Sequence, residues 1–185
     1  MIVELALLGL AVSAALKPAT ASKGPAKVLK ARQLALAWSV QKFGHAAGLP
    51  VPLLLAIGDH ESGLNPDNGI AGLDPTGVHE RNAGAFGHTV ATLKGLGANI
   101  DRIVAGDIDE QAKAAVALWR DLARKYGNNA DRIIGAWWVG AGGLDRIERG
   151  ETLKNYYYKK GISPVMVANF VRNIRARAKQ FEAWS

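Results

Sequence analysis

Pro50-Val51-Pro52-Leu53-Leu54-Leu55-Ala56-Ile57-Gly58-Asp59-His60-Glu61-Ser62-Gly63-Leu64-Asn65-Pro66 reads as a short apolar helix that carries Glu61 out to its C-terminal end. Pro50 and Pro52 fix the entry, because proline fits the first helical turn, where its missing N–H costs nothing; Gly63 and Pro66 mark the exit. Leu54, Ile57, Gly58 and Glu61 recur at helical spacing, so the carboxylate shares a face with residues expected in the core. Two readings are open at this level. Glu61 is either a solvated acid in a last turn or a carboxyl pressed against apolar walls, where lost hydration disfavours the charge and raises the pKa.

Glu61-Ser62-Gly63-Leu64-Asn65-Pro66 resembles the Glu-Ser-x-x-Asn-Pro signature of soluble lytic transglycosylases, lysozyme-like enzymes that cleave peptidoglycan glycan strands. Gly84-Ala85-Phe86-Gly87, then Thr92 and Leu96-Gly97, is similar to the family's Gly-Leu-Met-Gln, Thr, Leu-Gly block. Ala136-Trp137-Trp138-Val139-Gly140-Ala141-Gly142 resembles its Ala-Tyr-Asn-Ala-Gly-Pro-Gly turn. Glu151-Thr152 and Asn155-Tyr156 with Lys159 look like the segment whose tyrosine lines the family's cleft. Four blocks in the family's order, over roughly residues 45 to 160, are more specific together than singly. Two positions depart from the pattern: Gly87 stands where the family has Gln, and Trp138 where it has Asn.

The resemblance implies a lysozyme-like lytic transglycosylase domain in which Glu61 is the catalytic residue. It implies substrate contacts at Ser62, Ala85, Phe86, Trp138 and Tyr156, with His88 as a replacement donor beside Gly87. It also implies a mechanism. Protonated Glu61 gives its proton to the glycosidic oxygen between N-acetylmuramic acid and N-acetylglucosamine. The resulting carboxylate then takes the proton of the sugar's own C6 hydroxyl, and ring closure leaves a 1,6-anhydro end. One residue serves as acid and then as base; neither cofactor nor metal is needed. A hydrolytic muramidase is the near alternative and wants a second carboxylate, for which Asp67, Asp74 and Glu80 are available. A catalytically impaired structural or wall-binding virion protein is a third reading, motivated by Gly87 and Trp138.

Around this helix the chain reads as all-α. Pro25-Ala26 opens a helix in which Leu34, Trp38 and Phe43 recur near helical spacing, with Gly48 at its close. Residues 63–86, rich in Gly, Asn, Asp and Pro, read as a long loop forming one wall of a cleft beside Glu61. Asp107 with Glu110 three residues later starts a helix whose stripe Ile108, Ala112, Ala115, Trp119, Leu122 and Tyr126 runs to Gly127. Ala130 to Val139 is a further helix ending at the Gly140–Gly143 run. Ser163-Pro164 begins the last, with Val167, Phe170, Val171, Ile174, Ala178 and Phe181 facing the core. Trp137 reads as a core residue, and no alternating strand pattern occurs.

The 185 residues carry no cysteine, which leaves out disulfide frameworks and thiolate metal sites. His45, His60, His79 and His88 lack zinc-motif spacing. Lysine and arginine outnumber acids 23 to 16, a net charge of +7. Past Glu151 the basic residues Lys154, Lys159, Lys160, Arg172, Arg175, Arg177 and Lys179 face only Glu182. That end reads as a solvated helix face or an attraction for acidic wall polymers; nucleic acid, for which no motif is present, is the lesser reading.

Residues 1–16 read as a separate apolar helix, 17–27 as a linker and 28–185 as the lysozyme-like transglycosylase domain that the resemblance implies. Ile2 to Leu16 as helix spans about 22 Å, short of the ~30 Å hydrocarbon core. Glu4 and the absence of a basic start argue against a cleaved signal peptide. The segment is expected to be a membrane anchor or an assembly helix packing on virion subunits. A small lytic domain with such a segment resembles those that bacteriophages carry in their virions, in the entry apparatus or an internal membrane, to open the wall locally. A membrane-associated enzyme of the bacterial envelope or periplasm is the alternative setting.

Overall fold

The fold is known from a computed structural model that describes residues 28–68, 84–154 and 161–185. The apolar segment and linker, residues 69–83 of the long loop, and Tyr156 lie outside the described residues. No strand occurs among those described, where an isolated antiparallel bridge joins Leu153 to Ile162. The all-α expectation is met. No helix among the described residues is long and apolar enough to cross a membrane.

The helices run α1 (Ala31–Ala46), α2 (Val51–Ser62), α3 (Val90–Gly95), α4 (Ile100–Val104), α5 (Ile108–Tyr126), α6 (Ala130–Val139), α7 (Ala141–Glu148) and α8 (Pro164–Ala178), followed by a 3₁₀ segment, Lys179–Trp184. The helix bearing Glu61, α2, is apolar nearly all round, and such a helix has to be surrounded. It packs against α1, α8 and the 3₁₀ segment, and Val51 and Leu54 through Asp59 are all buried. Pro52 sits in its first turn. Gly63, at φ +70°, ends it in the left-handed cap that glycine adopts without steric cost.

Gly58 is where α2 meets the rest of the core most closely. A Cβ there would lie 2.9 Å from both Leu64 Cδ2 and Phe86 Cε1, and neither fully enclosed side chain has room to retreat. Overpacking of this kind costs 1–3 kcal/mol. Gly58→Val is expected to destabilise the protein by about 2 kcal/mol, read as a fall of roughly 4–8 °C in thermal midpoint.

The amphipathic helix α5 follows its sequence. Asp107 accepts a hydrogen bond from the Glu110 N–H, and Ala112, Ala115, Trp119, Leu122 and Tyr126 are buried. The last helix starts where expected too, with the Ser163 hydroxyl capping the Met166 N–H and Val167, Phe170 and Ile174 inside; Val171 is only half-buried.

Three expectations are corrected. In α1 the buried face is Leu36, Ala37, Val40 and Gly44, whereas Leu34 and Trp38 are 39% and 46% exposed. Gly140, at φ +75°, is a corner rather than the head of a glycine-rich turn, because Ala141–Glu148 continues as α7. The basic C-terminal end is paired in part: Arg175 bonds Asp131, and Arg177 bonds Asp59, whose carboxylate is buried in α2. Acids distant in sequence therefore neutralise arginines that look unopposed locally. Helices α3 and α4 fill a stretch without a clear period, and Leu93 and Ile103 form a small second cluster with Ala114 of α5.

Candidate active site

Glu61 occupies the last turn of α2 and lines a cavity of about 210 Å³ together with Phe86, Gly87, His88, Thr89, Thr92, Leu118, Trp137, Trp138 and Gly140. Five elements supply the lining: α2, the 84–89 turn, α3, α5, and the end of α6. Burial pushes the Glu61 carboxyl up to about 7, against an ordinary 4.5. Of the two readings open in the sequence, the acid pressed against apolar walls is the one realised. Among the described residues no other carboxylate lines this cavity.

The 84–87 turn is what closes on the acid. Gly84 and Gly87 sit at φ +71° and +61°, conformations that favour glycine. A Cβ on Gly87 would lie 2.9 Å from Glu61 Oε2. The glycine at the position of the family's Gln thus lets backbone approach the carboxyl where a side chain would collide with it. Between these glycines, Ala85 is fully buried. Its N–H donates to Gln111 Oε1 at 3.1 Å, and its C=O accepts from the Ser62 hydroxyl at 2.9 Å.

That geometry corrects two expected substrate contacts. Ala85 has no free polar group and no exposed surface, so it holds the turn. Ser62 gives its hydroxyl proton to backbone carbonyls and accepts from the Asn65 N–H at 3.0 Å. It ties the end of α2 to the turn instead of facing the cavity.

Phe86 and His88 form the inner wall. Their rings stack 6.0 Å apart, and Trp137 leans over both, 5.4 Å from His88 and 6.2 Å from Phe86. His88 is buried. Its Nε2 is enclosed without a hydrogen-bond partner among the described residues, and burial pushes the imidazole down to about 4. The ring is therefore neutral near neutral pH and lines the cavity as wall, with the one N–H that a neutral imidazole keeps. Thr89 caps α3 through the Thr92 N–H, and the two hydroxyls lie 3.0 Å apart.

Trp138 reaches the cavity from the end of α6, its indole stacked on Phe170 at 5.0 Å and 20°. Trp137, expected in the core, lines the cavity as well. Asp67, one of the carboxylates considered for a hydrolase, is exposed and paired with Arg32 at 2.8 Å, away from the cavity lining; Asp74 and Glu80 lie outside the described residues. Three contributors escaped the sequence reading. Leu118 lies off the buried stripe of α5, Thr89 caps α3, and Gln111 is a buried glutamine inside α5.

A larger groove of about 500 Å³ runs along α1 between Trp38, Ser39, Gln41, Lys42, His45 and Asp109. It has no acid in apolar surroundings, since Asp109 is engaged by the Ser39 hydroxyl and faces Lys42. Of the two, the smaller Glu61 cavity is the one lined by an acid of raised pKa. Among the described residues no group of three or more His, Asp or Glu is arranged to hold a metal ion. Neither a protein-family model, nor a curated protein, nor a solved structure matches the chain.

Proposed function

We propose that this chain is a peptidoglycan lytic transglycosylase, with Glu61 acting first as general acid and then as general base. The observation that carries the reading is the state of Glu61. Its carboxyl is half-buried on an aromatic-walled cavity and has a pKa raised to about 7, so near neutral pH it holds a proton that it can give up. Efficient acid catalysis wants a pKa near the working pH. The four sequence blocks that resemble the family supply the substrate class.

Protonated Glu61 donates to the glycosidic oxygen as the bond breaks, and the sugar passes through an oxocarbenium-like state. The carboxylate so formed accepts the C6 hydroxyl proton, that oxygen closes on C1, and Glu61 is again protonated. Trp137 and Trp138 offer apolar surface for a sugar ring, and the Thr89 and Thr92 hydroxyls lie on the same lining. A single carboxylate in the described lining fits a cycle that needs one group. A small lytic domain following the apolar 2–16 segment suits local wall opening from a phage virion, with residues 2–16 on a membrane or on virion subunits.

Mass spectrometry of digested peptidoglycan tests the chemistry. Products ending in 1,6-anhydro-N-acetylmuramic acid are expected. Reducing ends in their place assign a hydrolase, and intact strands at high protein concentration assign the non-catalytic reading.

A further inference from the structure

The turn that covers Glu61 is held by a residue remote from it in sequence. Gln111, in the first turns of α5, is buried and has both ends of its side-chain amide engaged. Oε1 accepts the Ala85 N–H at 3.1 Å, and Nε2 donates to the Pro66 carbonyl at 2.9 Å. It thereby links the segment leaving α2 to the 84–87 turn. The fit is close enough that a Cβ on Gly84 would lie 2.8 Å from Gln111 Oε1. Ser62 holds the same turn from the other side through the Ala85 carbonyl.

The turn is short, so what is fixed at one end is felt at the other. Gly84 closes on Gln111 and Gly87 closes on Glu61 Oε2, with the Gly87 N–H bonded back to the Gly84 carbonyl at 3.4 Å. A buried amide with both bonds made is a rigid strut, because releasing it strands a peptide N–H and a carbonyl away from water. We propose that Gln111 is a positioning residue for Glu61: by clamping Ala85 and Pro66 it seats the Gly84–Gly87 turn on the carboxyl, shuts water out of that side and fixes the direction in which the acid points. The proposal rests on Glu61 being the acid, and it assigns to α5 a part in the site that no motif indicates.

The test is a direct titration of the Glu61 carboxyl by carbon NMR in the folded full chain, beside steady-state lysis across pH. His88 is the other titratable side chain on the described lining, and it stays neutral above about 4, so a midpoint near 7 belongs to Glu61. In Gln111→Leu the turn loses both amide bonds. The Glu61 midpoint is expected to fall by one pH unit or more, and kcat to fall at least tenfold with KM changed less than threefold. Gln111→Glu keeps the acceptor for the Ala85 N–H and, protonated in that buried place, a donor for Pro66; it is expected to restore most of the midpoint and of kcat. If Gln111→Leu does not fold, Ser62→Ala releases the turn at the Ala85 carbonyl and is expected to lower the midpoint in the same direction. A folded Gln111→Leu, or failing that Ser62→Ala, whose Glu61 still titrates within 0.3 of wild type overturns the proposal. The titration reads Glu61 whether or not the chain cleaves glycans, so a wild type that titrates near 7 without lysing peptidoglycan rejects the transglycosylase reading and leaves the positioning role decided on its own.

Discussion

Glu61→Gln is expected to abolish peptidoglycan lysis, with kcat lowered on the order of a thousandfold, while the purified variant keeps the wild-type circular dichroism spectrum. Glutamine has the size and shape of a protonated glutamic acid, so it meets Gly87 at the same close approach that the carboxyl makes. Its amide cannot release a proton to a glycosidic oxygen, and it cannot take one back from the C6 hydroxyl. Because one group is proposed to serve both steps, a substitute acid elsewhere would have to perform two tasks. No other carboxylate is on the described lining. Zymography on purified peptidoglycan, with wild type and variant side by side, reads the result, and activity within tenfold of wild type removes Glu61 from the mechanism.

Glu61 was legible because its evidence is local: prolines before it, a glycine after it and apolar residues one helical turn away describe a helix that ends in an acid. The same holds for α5 and α8, where a capping Asp or Ser and a sustained period lead into buried stripes. Legibility fails where one pattern supports two faces. In α1, Leu34 and Trp38 stand a turn apart and look like a core edge, but Leu36, Val40 and Gly44 are the buried residues, and Gly44 allows α2 to approach because a Cβ there would lie 2.8 Å from Val51 Cγ2. It fails again where glycines mean packing. Gly143 reads as turn, yet it lies within α7, where an added Cβ would be 3.1 Å from Leu153 Cδ1. The long-range bonds that hold the site were not legible. Gln111 acts on partners 26 and 45 residues away, and no local spacing carries that information. Ser62 stands out by its motif as a substrate contact, whereas its partners show it holding the turn.

The two abnormal groups on the cavity also make a prediction about stability, and their signs oppose. Glu61 has a folded-state pKa of about 7 against 4.5. The fold favours its neutral form, so its contribution is complete below pH 4.5 and is lost as pH rises through 7. His88 has a folded-state pKa of about 4 against 6.5. The fold again favours the neutral form, but for an imidazole that contribution is complete above pH 6.5 and is lost as pH falls through 4. At roughly 1.4 kcal/mol per pH unit each amounts to about 3 kcal/mol. Between pH 4.5 and 6.5 the two slopes nearly cancel, so the wild type conceals both. Single variants separate them. Urea unfolding of Glu61→Gln is expected to gain about 3 kcal/mol relative to wild type as pH rises from 4.5 to 7. His88→Leu, which keeps an apolar wall beside Phe86 and Trp137, is expected to gain a similar amount relative to wild type as pH falls from 6.5 to 4. Taking differences between variant and wild type removes the titration of every other carboxylate from the comparison. Difference curves that stay flat in both windows would mean that neither group is held neutral by the fold, and the cavity would lose the property on which its chemistry depends. Curves that bend as expected describe a cavity whose described lining carries no formal charge from about pH 4 to 7, where a proton on Glu61 has no competing ion beside it.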